Sequence, residues 1–337
     1  MSELEPTAFE PFDEQGGLIL AVRLPGSPEQ FAQPLTWTDL ERRDPAHPLW
    51  VHLDRTRPRA KSWLTEHAHL PPIISQALLA DETRPRVAEY AEGMLVILRG
   101  VNLNPGAEPD ELISIRLWVE PDRIITLRQH RFQTVRDLRQ RAQRGQAPPT
   151  TGAVLAFIAL GLASRLNCVV ENLQELMDEA EHALSEEDPS RVDVRRLADV
   201  RRQAVRLRRY LAPQRDALSQ LVLSASPLIS PAARHELLEA LDRNSRIVED
   251  LEEVRDRAAV SQDEHRAQRE LAQSRTMYLL TIVASIFLPL GFITGLLGIN
   301  VGGIPGQDSP RAFWVVTASA CALAAIMLAV FRKLRWI

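Results

Sequence analysis

Two patterns of apolar spacing divide this chain. In its first part, short apolar or alternating runs recur at Gly17 to Leu24, Leu49 to Leu53, Val87 to Tyr90, Met94 to Val101, Leu112 to Val119 and Ile124 to Leu127. Runs of this length bounded by Gly, Pro, Asp and Asn predict strands, and together they predict one sheet. Arg59 to His69 and Ile73 to Ala80 have helical spacing instead, with Pro71-Pro72 between them. After Gly161 no glycine occurs until Gly291, which favours long helices. Leu166, Val169, Val170, Leu173, Leu176 and Met177 show the three- and four-residue spacing of one apolar helix face.

Proline divides the helical part at Pro189, Pro213, Pro227 and Pro231. Pro213 falls inside a helical pattern, where its missing N–H and its ring predict a kink or break. Ser230-Pro231 opens the longest element, serine suiting the N-cap and proline the first turn. Helix continuing from Pro231 to Gly298 would be on the order of 100 Å long at 1.5 Å per residue. Its first half bears Leu237, Leu238, Leu241, Ile247, Val248, Leu251 and Val254 as an apolar stripe, whereas Ala258 to Arg275 is small and polar nearly all round. Two readings fit that second stretch: a solvated linker to a membrane anchor, or a wall of an aqueous path enclosed by several copies.

Met277 to Gly298 and Phe313 to Phe331 contain no Asp, Glu, Lys, Arg or His. About 20 apolar residues in a helix cross a hydrocarbon core, so each run predicts a membrane span. Neither has the form of a secretory leader, since both are C-terminal and Met1 to Phe12 is acidic and proline-bearing. Arg266, Arg269 and Arg275 precede the first run, Arg332, Lys333 and Arg335 follow the second, and the loop between holds only Arg311. The positive-inside rule then places both termini in the cytoplasm. The expected fold class is α+β with long helices and two C-terminal transmembrane helices. The expected layout is a cytoplasmic sheet domain over 1–150, a bundle of long helices and a stalk over 151–276, and a first span over 277–298. A loop over 299–312, a second span over 313–331 and a basic tail over 332–337 complete it.

Composition changes this picture little. The net charge of −4 and the close mixing of acids with bases leave no unopposed basic patch for nucleic acid. The two cysteines, Cys168 and Cys321, lie far apart and imply neither a disulfide nor a metal knuckle. No P-loop, HExxH or nucleophile elbow marks the chain as an enzyme, so a membrane-tethered enzyme or sensor has no motif behind it. No cofactor is expected.

The candidate chemistry therefore gathers around the first span. Stepping back from Gly298 with a 3.6-residue period meets Gly295, Gly291, Leu288, Ala284, Leu280 and Met277. This small-residue face, with its GxxxG pair, serves either close helix packing or the lining of a narrow pore with Met277 and Leu280 as an apolar constriction. Asn300 follows the helix-ending Gly298-Ile299 and reads either as a cap or, repeated by symmetry, as a ring of amide oxygens at a pore mouth. Neither span carries a carboxylate, as a carrier binding a dehydrated divalent ion in mid-membrane would require.

On the cytoplasmic side, Asp256, Asp263, Glu264, His265 and Glu270 form either a solvated charged face or a ring that attracts cations. His67 and His69, two apart on a helix, point to different sides and suit capping better than metal binding. His52 and Asp54 share a strand face and are expected as a surface hydrogen-bonded pair. Arg201, Arg202, Arg206, Arg208 and Arg209 form a basic stretch and Glu249, Asp250, Glu252 and Glu253 an acidic one, which serve either to salt-bridge or solvate the helices or to make an electrostatic contact between subunits.

Gly298-Ile299-Asn300 at the end of the first of two terminal spans resembles the Gly-Met-Asn of the CorA superfamily of divalent-cation transporters. Val301-Gly302-Gly303-Ile304-Pro305-Gly306, Thr83-Arg84-Pro85-Arg86 and Arg208-Arg209-Tyr210-Leu211-Ala212-Pro213-Gln214-Arg215-Asp216 resemble more particularly its zinc branch, ZntB. The resemblance implies a homopentamer with a funnel-shaped cytoplasmic part, first spans lining the pore and second spans outside. It also implies Zn2+ transport across the bacterial inner membrane, inward and linked to a proton gradient. A magnesium, cobalt or nickel channel of the same architecture is the alternative.

Overall fold

The computed structural model describes residues 13, 15–24, 35–42, 44, 47–108, 110–185, 194–299, 306 and 309–333. The chain divides into two compact units, Met1–Gln262 and Asp263–Ile337.

The first unit is built on a mixed six-stranded sheet of β1 (Leu18–Arg23), β2 (Leu49–Asp54), β3 (Arg86–Glu89), β4 (Met94–Val101), β5 (Leu112–Val119) and β6 (Arg123–Arg128). Their spatial order is β1-β2-β6-β5-β4-β3. Among the described strands only β2 and β6 pair in parallel, in the register Val51 to Ile125. The single sheet and its six strands match the expectation from sequence to within a residue or two at each end.

Alternation along the strands feeds two cores, as it must when both faces of a sheet are covered. On one face Trp50, Val96, Leu98, Ile115, Leu117 and Ile124 pack with α3 (Gln133–Gln143), the start of α4 (Thr151–Ser185) and parts of α5 (Val194–Leu223) and α6 (Pro231–Leu297). On the other, Val51, Leu95, Ile97, Trp118 and Ile125 meet α1 (Pro58–Ser62), the π turn Trp63–His67 and α2 (Pro72–Leu79). A third apolar cluster joins the later part of α4 to α5 and α6 through Leu173, Met177, Leu207, Leu211, Ile247 and Leu251.

Charged groups buried against the sheet are held by backbone carbonyls. Arg116, on β5, donates to the carbonyls of Leu78 at 2.7 Å and Asp81 at 3.3 Å, satisfying the C-terminal end of α2. Burial, reinforced by Arg55 and Arg99, lowers its pKa to about 10, which leaves it charged at neutral pH. Helix α5 continues through Pro213, so of the expected kink or break the break does not occur. Two residues before the proline, the Leu211 carbonyl accepts from Nδ2 of Asn244 on α6 at 2.9 Å.

Three described helices are long and apolar enough to cross a membrane. In Thr151–Leu184 half of the apolar window is buried, and its side chains belong to the sheet's core. The windows in Pro231–Leu297 and Ala312–Lys333 (α7) are almost wholly uncovered. Such exposure of long apolar faces is tolerated in lipid and not in water.

Candidate pore helix and its cytoplasmic approach

The first apolar run forms the last part of α6, which ends at Leu297. Gly298 closes it with an N–H shared between the Thr294 carbonyl at 3.0 Å and the Gly295 carbonyl at 3.2 Å. Hydroxyls within the run bond to their own helix: Thr281 to the Met277 carbonyl at 2.9 Å, Ser285 to that of Thr281 at 2.7 Å, and Thr294 to that of Leu290 at 2.9 Å. Each of these hydroxyls is thereby provided for without water, as a hydrocarbon setting demands. Pro289 has no N–H to give, so the Ser285 carbonyl lacks its usual helical donor.

The small face is open in the single chain. Beyond its chain neighbours and its own turns of helix backbone, a Cβ added at Gly291 or Gly295 would meet no described atom within 4 Å. Met277, Leu280, Ala284 and Leu288 are exposed as well, Leu288 at 78%. Ile282 is the one buried residue among those described from Met277 to Ile299. At 100° per residue it lies roughly opposite the line through Met277, Leu280, Ala284, Leu288, Gly291 and Gly295. The single chain therefore covers Ile282 on the reverse side of this helix and leaves the small face, with most of the rest of the run, uncovered. Ile299 is exposed, and Asn300, with the loop as far as Pro305, lies outside the described residues.

Asp256, Asp263, Glu264 and Glu270 are exposed on α6. Asp256 accepts from Arg255 at 2.8 Å, and Asp263 lies 3.6 Å from Arg266. Exposed pairs of this kind are worth at most about 1 kcal/mol, so they do not remove the acids from play. His265 differs. It is only 3% exposed and continues the buried stripe Leu251, Val254, Ala258 and Ser261 with heptad-like spacing. Burial and then Arg269 lower its pKa, favouring the neutral ring. No group of three or more His, Cys, Asp or Glu able to hold a metal occurs among the described residues.

Arg208 and Glu252 bridge α5 to α6 with Nη2 to Oε1 at 2.5 Å, and Arg206 meets Asp110 at 2.5 Å. Burial, with Glu253 and Glu249 nearby, raises the pKa of Asp250. His67 rests between Glu41 at 3.6 Å and Glu66 at 3.9 Å, while His69 takes a left-handed conformation with φ 52°.

The expected surface pairing of His52 with Asp54 is incorrect. β2 is an inner strand, so His52 is fully buried and its Nδ1 lies 2.8 Å from Thr126 Oγ1. Thr126 spends its own proton on the Val51 carbonyl, so Nδ1 of His52 must be the donor and Nε2 the bare nitrogen. Asp54 turns instead to the backbone N–H of Thr56 at 2.9 Å and its hydroxyl at 2.6 Å.

Two spans following a sheet domain and a long helix are an arrangement shared with known proteins. The family model described as CorA-like Mg2+ transporter protein matches residues 45–333. The chain belongs to that family. It is 40% identical over 297 residues to the divalent cation transporter CmaX of Pseudomonas aeruginosa, an overlap of 87% of this chain and 89% of that protein. To the zinc transport protein ZntB of Pectobacterium carotovorum it is 34% identical over 268 residues, 79% and 81% of the two chains. The solved structure of full-length CmaX superposes with a TM-score of 0.80 at 36% identity, covering 96% of this chain and 99% of that one.

This CorA-family chain is a divalent-cation transporter and a membrane protein with C-terminal spanning helices. It is not an enzyme. Its identity to CmaX exceeds that to ZntB, so family membership rests on firmer ground than membership of the zinc branch.

Proposed function

We propose that several copies of this chain, five by family resemblance, surround a pore lined by the small face of α6, and that Zn2+ is the ion they admit. The single observation behind the pore is the uncovered line from Met277 to Gly295 set against the buried Ile282 on the reverse side. A helix that meets its own chain at its back and keeps glycines clear at its front suits a central position, with α7 outside. The apolar lining at Met277 and Leu280 would act as a constriction, and the ring of Asn300 amides would hold an ion through its water shell. Exposed Asp256, Asp263, Glu264 and Glu270 would concentrate cations at the cytoplasmic end. On this reading both termini are cytoplasmic and the host membrane is the bacterial inner membrane.

Zinc as cargo draws on the 34% identity to proteins named as zinc transporters and on the loop Val301 to Gly306. Coupling to a proton gradient is inherited from the same branch, with entry as the direction. Magnesium, cobalt or nickel is the second reading, favoured by the 40% identity to a transporter named only for divalent cations.

The test is uptake of each metal into vesicles holding the purified full-length protein, with and without an imposed pH gradient. Zinc should enter faster than magnesium, cobalt or nickel and respond to the gradient; preference for another ion refutes the zinc assignment, and indifference to the gradient refutes coupling. Asn300→Ala should lower flux at least about tenfold, a barrier change of about 1.4 kcal/mol, with the oligomer's native mass unchanged. Normal flux in that variant would remove the amide ring.

A further inference from the structure

A chain of buried amides crosses the first unit. The backbone N–H of Arg99 on β4 donates to Gln214 Oε1 on α5 at 2.6 Å. Gln214 Nε2 donates to Asn244 Oδ1 on α6 at 3.3 Å, and Asn244 Nδ2 donates to the Leu211 carbonyl at 2.9 Å. Gln214 is 1% and Asn244 0% exposed. The direction of this chain is fixed at both ends, by a backbone group that can only donate and a carbonyl that can only accept. Either amide turned over would set donor against donor or acceptor against acceptor.

Sheet topology explains the opening that Gln214 fills. β3 pairs with β4 no farther than Arg86 opposite Ile97, so beyond that point the outer side of β4 has lost its partner strand. Gln214 supplies the missing acceptor. The Arg99 side chain secures the same junction: Nη2 donates to the Thr83 carbonyl at 2.8 Å, Nη1 to that of Leu112 at 2.8 Å, and its guanidinium lies 4.1 Å from the centre of the Tyr210 ring. Two stretches far apart in sequence, around Thr83 and around Tyr210 to Gln214, thus meet at one arginine.

We propose that Gln214 and Asn244 are positioning residues for transport: their end-to-end amides tie strand β4 to α6, the helix that bears the first apolar run, and the rate of ion passage depends on that tie. A purely apolar contact would let the helices slide by a fraction of a turn at little cost. Two linked amides admit one register, because a shift that breaks one bond strands a buried donor or acceptor. The inference uses the transport activity of the family and not the zinc assignment.

Gln214→Leu and Asn244→Leu, singly and together in the full-length protein, test it. Metal entry into vesicles is measured against metal concentration and expressed per assembled oligomer, as a ratio to wild type, using whichever divalent ion the wild type carries. A failed zinc assignment therefore leaves the comparison intact.

Each single variant should change the maximal rate at least about fivefold while the half-saturating concentration stays within about twofold, because neither residue lies in the apolar runs. The double variant should be no more altered than the more affected single one, since one tie is broken once. Unchanged maximal rates in both singles, or effects that multiply, would overturn the proposal; a merely structural role would lower thermal stability and leave flux per oligomer alone. Should the variants not assemble, hydrogen exchange of the wild type decides. Protection around Arg99 and around Asn244 should change together when the transported metal is added, and change at one without the other counts against the tie.

Discussion

Gly291→Leu separates a pore-facing surface from a lipid-facing one with little interference from the fold. Apart from its chain neighbours and its own turns of helix backbone, no described atom lies within 4 Å of where its Cβ would stand, so the branch point of a new side chain meets no obstacle inside one subunit. Gly291 is already helical, and replacing a mid-helix glycine by leucine lowers the intrinsic cost of helix by up to about 1 kcal/mol. Lipid would accept the added side chain readily. If the face met lipid, the variant would be as stable as wild type or slightly more so, with normal flux. If copies of α6 converge on this line, a leucine from each subunit fills a space kept for glycine, and metal entry should fall at least about tenfold, or about 1.4 kcal/mol in barrier. The assay is initial metal uptake into vesicles at equal protein density, with thermal unfolding and native mass measured on the same preparation. Wild-type flux in a correctly assembled Gly291→Leu protein would refute the placement of this face at a pore.

Two further predictions concern the sheet domain. A Cβ at Gly152 would stand 1.9 Å from the Leu228 carbonyl oxygen, a backbone atom that cannot swing aside, so Gly152→Ala should destabilise the protein by about 1–3 kcal/mol; an unchanged melting temperature would show that this junction yields. His52 has a pKa well below its usual 6.5, chiefly from burial and then from Arg128, so the unfolded chain binds a proton that the folded one does not. Stability should be complete above about pH 6.5 and decline as pH falls from there toward the folded value, at up to about 1.4 kcal/mol per pH unit. Melting curves from pH 7.5 to 5.5 should show a shallower decline in His52→Gln, and identical pH slopes would exclude His52 as the source.

Much of the sheet was legible from local pattern. The runs at Met94 to Val101 and Leu112 to Val119 become strands with those same limits, because alternation and flanking turn residues act over a few positions. Helix α3 was missed: Gln133–Gln143 is mostly polar and reveals its amphipathic face only when Val135, Leu138 and Ala142 are seen against the sheet. His52 was misplaced because its strand reads as half-exposed in one dimension, while burial is decided by having β1 on one side and β6 on the other. The face from Met277 to Gly295 was visible as a periodicity, yet its neighbour was not.

Length, apolar spacing and the placement of arginines around two uncharged runs were enough to establish strands, long helices and spans, since each depends on residues close together in the chain. Folding decided what each apolar helix meets. Thr151–Leu184 and the end of α6 hold apolar windows of similar mean hydropathy, but half of one is buried and the other is left almost bare. It also brought Arg99, Gln214 and Asn244 into one line of hydrogen bonds. Burial and pairing depend on what a residue meets across space, and no local pattern carries that information.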